Sequence, residues 1–135
     1  MQDDEAVALS EERVTPREQD TLITALRIQE RAADVGFDWP DASGPRAKVE
    51  EELKELDRET RKGKRETIED EIGDVLFAVV NLARKNNLDA EACLTAATEK
   101  FIERFHRMEL ELAKSGRKLG EASLAEMDEI WNRLK

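Results

Sequence analysis

The 135-residue sequence has few of the residues that build several common kinds of site. It contains no Tyr, one Cys and one His, and only 4% of its residues are aromatic. The lone Cys93 cannot form an internal disulfide, and with His106 as the only histidine the chain lacks the residues for a zinc site built from Cys and His ligands. No His or Asn partner is spaced near Cys93, so we expect Cys93 to be a small core residue. We expect His106 to be a surface residue.

Long apolar runs and strand patterns are also missing. No stretch approaches the roughly 20 apolar residues that span a bilayer, and the acidic residues 1–5 are unlike a signal peptide. No segment alternates apolar and polar residues over the length of a strand. The sequence therefore predicts an all-α, cytoplasmic protein with no membrane partner, of a length that suits about one domain.

Charged residues, in contrast, make up 40% of the chain. The 32 Asp and Glu residues outnumber the 22 Lys and Arg residues, which leaves a net charge of -10. This balance argues against duplex nucleic acid as a partner, because phosphate binding is driven by Lys and Arg. It suits a protein that holds divalent cations, although we expect most of the acids to be solvated.

Capping residues and apolar periodicity divide the chain into a flexible leader at residues 1–18 and one all-α domain at 19–135. We predict a bundle of four main helices and a short C-terminal helix. A loop at residues 36–45 is rich in Gly, Pro and Asp, and we expect its Phe37 and Trp39 to plug the end of the core. The predicted helices run from Asp20 to Gly36, from about 46 to 61, from 65 to 85, from Asp89 to about 115, and onwards from the capping box of Ser123 and Glu126.

Four carboxylates in the second and third predicted helices are the most informative feature. Glu52 and Glu55 have i, i+3 spacing, as do Glu71 and Asp74, so each pair lies on one face of its helix. At about 100° per residue, each pair lies at about -60° and -120° from the apolar stripe of its helix. If the two helices pack as antiparallel neighbours, as their short connection indicates, the four acids share one small volume.

The position of Asp74 indicates why a cation is needed there. It directly precedes residues 75–80, a run that is apolar on every side of the helix and is therefore predicted to be deeply buried. An ionised carboxylate in such surroundings is costly unless a proton or a cation neutralises it. Oxygen ligands without His or Cys favour Mg²⁺, with Mn²⁺ as a substitute. On spacing alone, ordinary exposed ion pairs with neighbours such as Lys48 and Arg58 remain an open alternative.

The fourth predicted helix carries cations beside its apolar stripe. Arg104 lies within about 20° of this stripe and Lys100 on its edge. A cation in that position indicates either a buried ion pair or an anionic ligand such as phosphate. Together with an acidic metal site, these cations would suit a polyphosphate substrate, because metals bridge phosphate oxygens while cations take up the developing charge.

Three segments resemble the MazG-type nucleoside triphosphate pyrophosphohydrolases: residues 48–56 (KVEEELKEL), 69–84 (EDEIGDVLFAVVNLAR) and 99–105 (EKFIERF). Residues 26–30 and 36–41 also resemble the catalytic C-terminal unit of the two-domain members, so the similarity runs from about Thr21 to Trp131. The resemblance implies a generally dimeric all-α enzyme that hydrolyses (deoxy)nucleoside triphosphates to the monophosphate and pyrophosphate with Mg²⁺. It makes residues 19–135 the catalytic domain, either of a single-domain member or of an excised half.

The resemblance also assigns roles to individual residues. By position, the metal ligands are Glu52, Glu55, Glu71 and Asp74, which with Lys100 form the predicted catalytic set. The predicted substrate-binding residues are Lys48, Glu51, Lys100, Arg104 and Trp131. Of these, Lys100 and Arg104 match cations that contact the triphosphate in the family. Trp131 matches an aromatic position associated with the nucleotide.

Two positions depart from the family pattern. Thr98 stands where members often have Asn, and Thr67 stands where some carry a basic residue. We therefore expect the contacts to the base or sugar of the nucleotide to differ from those in such members. A function of another class stays open from the residues themselves. It is a non-catalytic helical module that dimerises or binds a partner protein through its charged surface.

Overall fold

The computed structural model describes residues 21–135, which form five α-helices and one short 3-10 helix and contain no strand. The all-α prediction is therefore confirmed for this part of the chain. The predicted leader and the Asp20 cap lie outside it. Among the described helices, none combines the length and the apolar character that crossing a membrane requires. The elements are α1 (Thr21–Asp34), α2 (Ser43–Lys62), α3 (Arg65–Lys85), α4 (Ala90–Lys114), the 3-10 helix (Leu119–Glu121) and α5 (Leu124–Arg133).

Most helix ends lie where the capping signals predict them. Gly63 ends α2 in the left-handed conformation, with a φ of 72° that favours glycine. The Asp89 carboxylate accepts the Glu91 backbone N–H at the start of α4, and Ser123 opens α5 with a complete capping box. Helix α2 begins at Ser43, earlier than predicted, because Pro45 is compatible with the first helical turn, where its missing N–H has no helical acceptor.

The residues up to Glu91 form one of two compact units. Within it, α2 and α3 pack against each other across a two-residue connection, and α1 packs on α3. The loop after α1 is tied to the end of α3 by Asp38, which accepts hydrogen bonds from Arg84 Nη2 at 2.5 Å and from Lys85 Nζ at 3.2 Å. The Arg84 hydrogen bond is the main reason that the pKa of Asp38 lies well below its usual range.

The apolar run of α3 is buried on one side only. Ala78 and Val80 are buried, whereas Ile72, Leu76, Phe77 and Val79 are exposed. The prediction that this run is deeply buried, with Asp74 beside it in the same surroundings, is wrong for the single chain, in which Asp74 is exposed. The physical reason is that α1 and α2 pack against only part of the circumference of α3.

The aromatic residues of the loop after α1 do not plug the core, which corrects a second prediction. Phe37 is 82% exposed and Trp39 is 41% exposed. The ring of Trp39 lies against the backbone of Gly44, where an added Cβ would collide with it. The salt-bridged Asp38 between the two aromatic residues holds the loop on the surface of α3, so its rings remain at the edge of the unit.

The second unit, Ala92–Lys135, has its own small core. Met108 and Leu112 of α4 pack with Ile130 of α5, and Trp131 is partly buried against them. This core lies on the C-terminal half of α4, so Cys93, near the N-terminus of that helix, is exposed rather than in the core as predicted. His106 is exposed, as predicted.

Candidate functional site

Three of the four predicted carboxylates meet where α2 packs on α3. One oxygen from each of Glu52, Glu71 and Asp74 lies within 4.8 Å of the others, and we call these residues the acidic cluster. Glu71 and Asp74 come from adjacent turns of α3, and Glu52 reaches them from α2. Glu52 is only 8% exposed, which is unusual for a charged residue. The helical faces predicted from sequence therefore do converge for these three acids.

Glu55, the fourth predicted ligand, lies outside this group. Its Oε1 accepts a hydrogen bond from Arg58 Nη2 on the exposed side of α2. Glu51, which precedes Glu52 in α2, is exposed, and its carboxylate lies 3.5 Å from Lys48 Nζ. For Glu55 and Glu51 the structure has the ordinary ion pairs that the sequence left open as an alternative, and their functional roles stay predictions.

The acidic cluster has fewer positive charges than its acids need. Lys48 Nζ lies 3.1 Å from Glu52 Oε1, and this hydrogen bond is the main reason that the pKa of Glu52 is lowered. A hydrogen bond with Glu52, burial and the negative charges of Glu52, Asp74 and Glu55 raise the pKa of Glu71 to about 7. The Oε2 atom of Glu71 is buried and has no hydrogen-bond partner among residues 21–135.

These features fit a divalent cation. Three carboxylates supply hard oxygen ligands of the kind that Mg²⁺ and Mn²⁺ prefer. A buried oxygen without a partner is costly, and a nearby cation would both contact it and favour the charged form of Glu71. The residues present are therefore compatible with a metal held by Glu52, Glu71 and Asp74.

A cavity of about 730 Å³ lies beside the acidic cluster, within the first unit. Its volume is in the range of small-molecule binding sites. The wall combines charged, aromatic and amide side chains, so it can contact chemically different parts of one ligand. Among the lining residues are Lys48, Glu52, Asp74, Phe37, Trp39, Gln29 and Asn81.

Sequence reasoning missed Gln29 and Asn81. The available signal was a side-chain amide at an otherwise apolar position: Gln29 lies on the helical face of Leu22, Leu26 and Ala33, and Asn81 follows the apolar run of α3. A polar residue in such a position is either paired within the protein or available to a ligand. Periodicity alone does not separate these two cases.

The remaining predicted residues belong to the second unit. The Arg104 guanidinium lies over the Trp131 ring, 5.0 Å from its centroid, and the Phe101 ring centroid lies 4.9 Å from that of Trp131. Stacking on an aromatic ring fixes a guanidinium while leaving its N–H groups free to bind an anion. Lys100 is exposed on the same helix, α4.

Comparisons with known proteins identify the family to which this chain is similar. Residues 45–108 match the model of the MazG nucleotide pyrophosphohydrolase domain. The chain is 49% identical over 114 residues to the nucleoside triphosphate pyrophosphohydrolase/pyrophosphatase MazG of Thermotoga maritima, a match that covers 84% of this chain and 44% of that protein. It is 40% identical over 122 residues to the nucleoside triphosphate pyrophosphohydrolase of Escherichia coli, covering 89% and 46%. The chain thus spans less than half the length of these curated relatives.

Proposed function

We propose that this chain, in which residues 45–108 match the MazG nucleotide pyrophosphohydrolase domain, hydrolyses (deoxy)nucleoside triphosphates to the monophosphate and pyrophosphate. Mg²⁺ is the proposed cofactor, with Mn²⁺ as a substitute. The observation that carries the proposal is the acidic cluster, in which the buried Glu71 oxygen has no partner among the described residues, beside a nucleotide-sized cavity.

The metal would be held by Glu52, Glu71 and Asp74. When bound, it supplies charge stabilisation at phosphate oxygens and lowers the pKa of a coordinated water. Lys48 keeps Glu52 ionised by donating a hydrogen bond to it. We propose that Glu55 joins these ligands by releasing Arg58, because an exposed ion pair of this kind is weak, at roughly 0–1 kcal/mol.

In the proposed reaction, a water oxygen bonds to phosphorus as the P–O–P bridge between the α and β phosphorus atoms breaks. The water releases its protons to solvent, and pyrophosphate separates from the monophosphate. Lys100 and Arg104 stabilise the negative charge that develops on pyrophosphate, and Trp131 holds the Arg104 guanidinium in place. Lys48 lines the cavity and can contact a phosphate there. Glu51 orients Lys48 through their ion pair.

A homodimer is part of the proposal. Leu76, Phe77 and Val79 expose apolar side chains on α3, and burying them against a second subunit would be favourable, at roughly 25 cal/mol per Å² of apolar surface. A cytoplasmic location and the lack of duplex nucleic acid as a partner stay predictions from composition and charge.

The direct test is a panel of common and damaged dNTPs incubated with the protein and Mg²⁺, with products separated by anion-exchange chromatography. We expect monophosphate and pyrophosphate from at least one substrate. Asp74→Asn should lower the rate roughly a hundredfold or more, because changing even the outer partners of a metal costs about ten- to a hundredfold. The matched variant Asp57→Asn alters an exposed acid on α2 and should keep the wild-type rate.

Three outcomes would contradict the proposal. They are an unchanged rate in Asp74→Asn, diphosphate and phosphate as the products, and no hydrolysis of any nucleotide by the wild type. The last outcome is the one that a non-catalytic interaction module predicts.

A further inference from the structure

The orientation of the Gln29 side chain is fixed by its surroundings. Gln29 lies on α1 and is only 5% exposed. Its Nε2 donates a hydrogen bond to the backbone oxygen of Phe77 on α3, at 2.9 Å. A backbone oxygen can only accept a hydrogen bond, so the amide nitrogen, and not the amide oxygen, has to face Phe77. The oxygen Oε1 is therefore directed to another neighbour.

No such neighbour is found within the described part of the protein. Oε1 of Gln29 is buried and accepts no hydrogen bond from residues 21–135. Leaving a buried acceptor unpaired is costly, and native proteins almost always supply a partner from the protein, from water or from a ligand. Gln29 lines the 730 Å³ cavity, and a ligand N–H group that reaches Oε1 from there would satisfy this oxygen.

A second side-chain amide of the same cavity has the opposite polarity. Asn81 Oδ1 accepts a hydrogen bond from Arg84 Nε at 2.8 Å, which leaves the Asn81 Nδ2 group as a donor. Arg84 is itself held by the Asp38 carboxylate. The cavity wall thus offers a fixed acceptor at Gln29 and an oriented donor at Asn81.

This combination matches a nucleobase. The edges of the bases carry N–H donors beside ring-nitrogen or carbonyl acceptors, and proteins read them with side-chain amides. Bases also stack on aromatic side chains, and Phe37 and Trp39 line the same cavity. Glu52 and Asp74 of the acidic cluster line it too, so one nucleotide could contact the metal ligands with its phosphates and the amides with its base.

We propose that Gln29 is a specificity-determining residue that accepts a hydrogen bond from an N–H or amino group of the substrate base. Asn81 donates to an acceptor on the same base. The inference rests on the proposed function and extends it, since it names the part of the substrate that the cavity recognises. A base that presents no donor to Gln29 leaves Oε1 unpaired and should bind roughly tenfold to a hundredfold more weakly.

The first experiment removes the donor from the ligand and leaves the protein intact. Nucleoside 5′-monophosphates are titrated calorimetrically in matched pairs that differ in one donor group: adenosine and purine riboside, guanosine and inosine, inosine and 1-methylinosine, cytidine and pyrimidin-2-one riboside, and uridine and 3-methyluridine. For the preferred base, the wild-type protein should bind the donor-bearing member roughly tenfold to a hundredfold more tightly. Equal binding in every pair would overturn the proposal, because it would show that water alone satisfies Oε1.

The second experiment removes the acceptor from the protein. Gln29→Met keeps the length of the side chain, and it should bind both members of the preferred pair with similar affinity. Glu30→Met changes the exposed neighbour on α1 and should keep the wild-type preference. Thermal melts establish that each variant is folded. A folded Gln29→Met protein that still prefers the donor-bearing member would also overturn the proposal.

Hydrolysis of the matching triphosphates by the same proteins separates this inference from the proposed function. A wild type that discriminates within a pair but hydrolyses nothing supports the role of Gln29 in base binding and refutes the proposed reaction. A wild type that hydrolyses triphosphates but discriminates within no pair refutes the role of Gln29 and leaves the reaction standing.

Discussion

The acids of α2 and α3 fall into two groups with the same chemistry and opposite surroundings. On the outer faces, several acids have a cation within one helical turn: Glu50 with Arg46 at 3.5 Å, Glu59 with Lys62 at 3.4 Å and Glu69 with Arg65 at 3.0 Å. In the acidic cluster, Lys48 is shared between Glu52 and the exposed Glu51. Glu71 has no ion-pair partner among the described residues, and nearby acids raise its pKa to about 7. Buried carboxylate groups combined with a shortage of cations therefore distinguish the candidate site.

The largest expected effect is a difference in hydrolysis rate between two variants, each of which neutralises one acid of one group. Glu71→Gln removes a proposed metal ligand, so pyrophosphate release should fall roughly a hundredfold or more. Glu69→Gln removes an exposed acid of the same helix whose ion pair is worth about 0–1 kcal/mol, and its rate should stay within about twofold of the wild type. Similar rates for the two variants would remove the distinction between the groups.

The two lysines of α2 test the same contrast through stability. Lys48→Met leaves the buried Glu52 without its cation, so the free energy of unfolding in metal-free buffer should fall by about 1–2 kcal/mol. This expected loss of stability lies towards the lower end of the cost of an unpaired charged group, because Lys48 is partly exposed and solvent weakens its ion pair with Glu52. Lys62→Met disrupts an outer pair and should cost less than about 1 kcal/mol. Urea unfolding measures both values, and a larger cost at Lys62 would contradict the account.

The pH dependence of stability is the smallest expected effect. The folded-state pKa of Glu71, about 7, lies above its unfolded value near 4.5, so the folded protein binds more protons between these two values. The stabilisation is complete below pH 4.5 and is lost as the pH rises to 7. In metal-free buffer, the melting temperature should therefore fall over this range by more in the wild type than in Glu71→Gln. Parallel pH profiles would show that Glu71 is not perturbed.

Local sequence signals were enough to predict most of the fold. The end of α3 at Asn86 and the start of α5 follow from caps that involve only neighbouring residues, such as the Ser123 capping box. Convergence of Glu52, Glu71 and Asp74 could also be predicted, because helical periodicity fixes their faces and a short connection brings the two helices together.

Other features could not be read from the sequence because they depend on side-chain choices or distant contacts. Glu55 lies one turn from Glu52, and periodicity does not say whether its carboxylate faces the cluster or Arg58. The exposure of Trp39 depends on its contact with Gly44 and on the ion pairs of Asp38. The unpaired oxygen of Gln29 becomes evident only once its nitrogen is seen to bond to Phe77.

Whether Glu52, Glu71 and Asp74 form one divalent-cation site can be measured by titration with Mn²⁺ followed by electron paramagnetic resonance. We expect the wild type and Glu69→Gln to bind Mn²⁺ with the same affinity, Mg²⁺ to compete, and Glu71→Gln to bind at least about tenfold more weakly. Equal Mn²⁺ affinity in Glu71→Gln and Glu69→Gln, or no binding by the wild type with or without a nucleotide, would contradict this expectation.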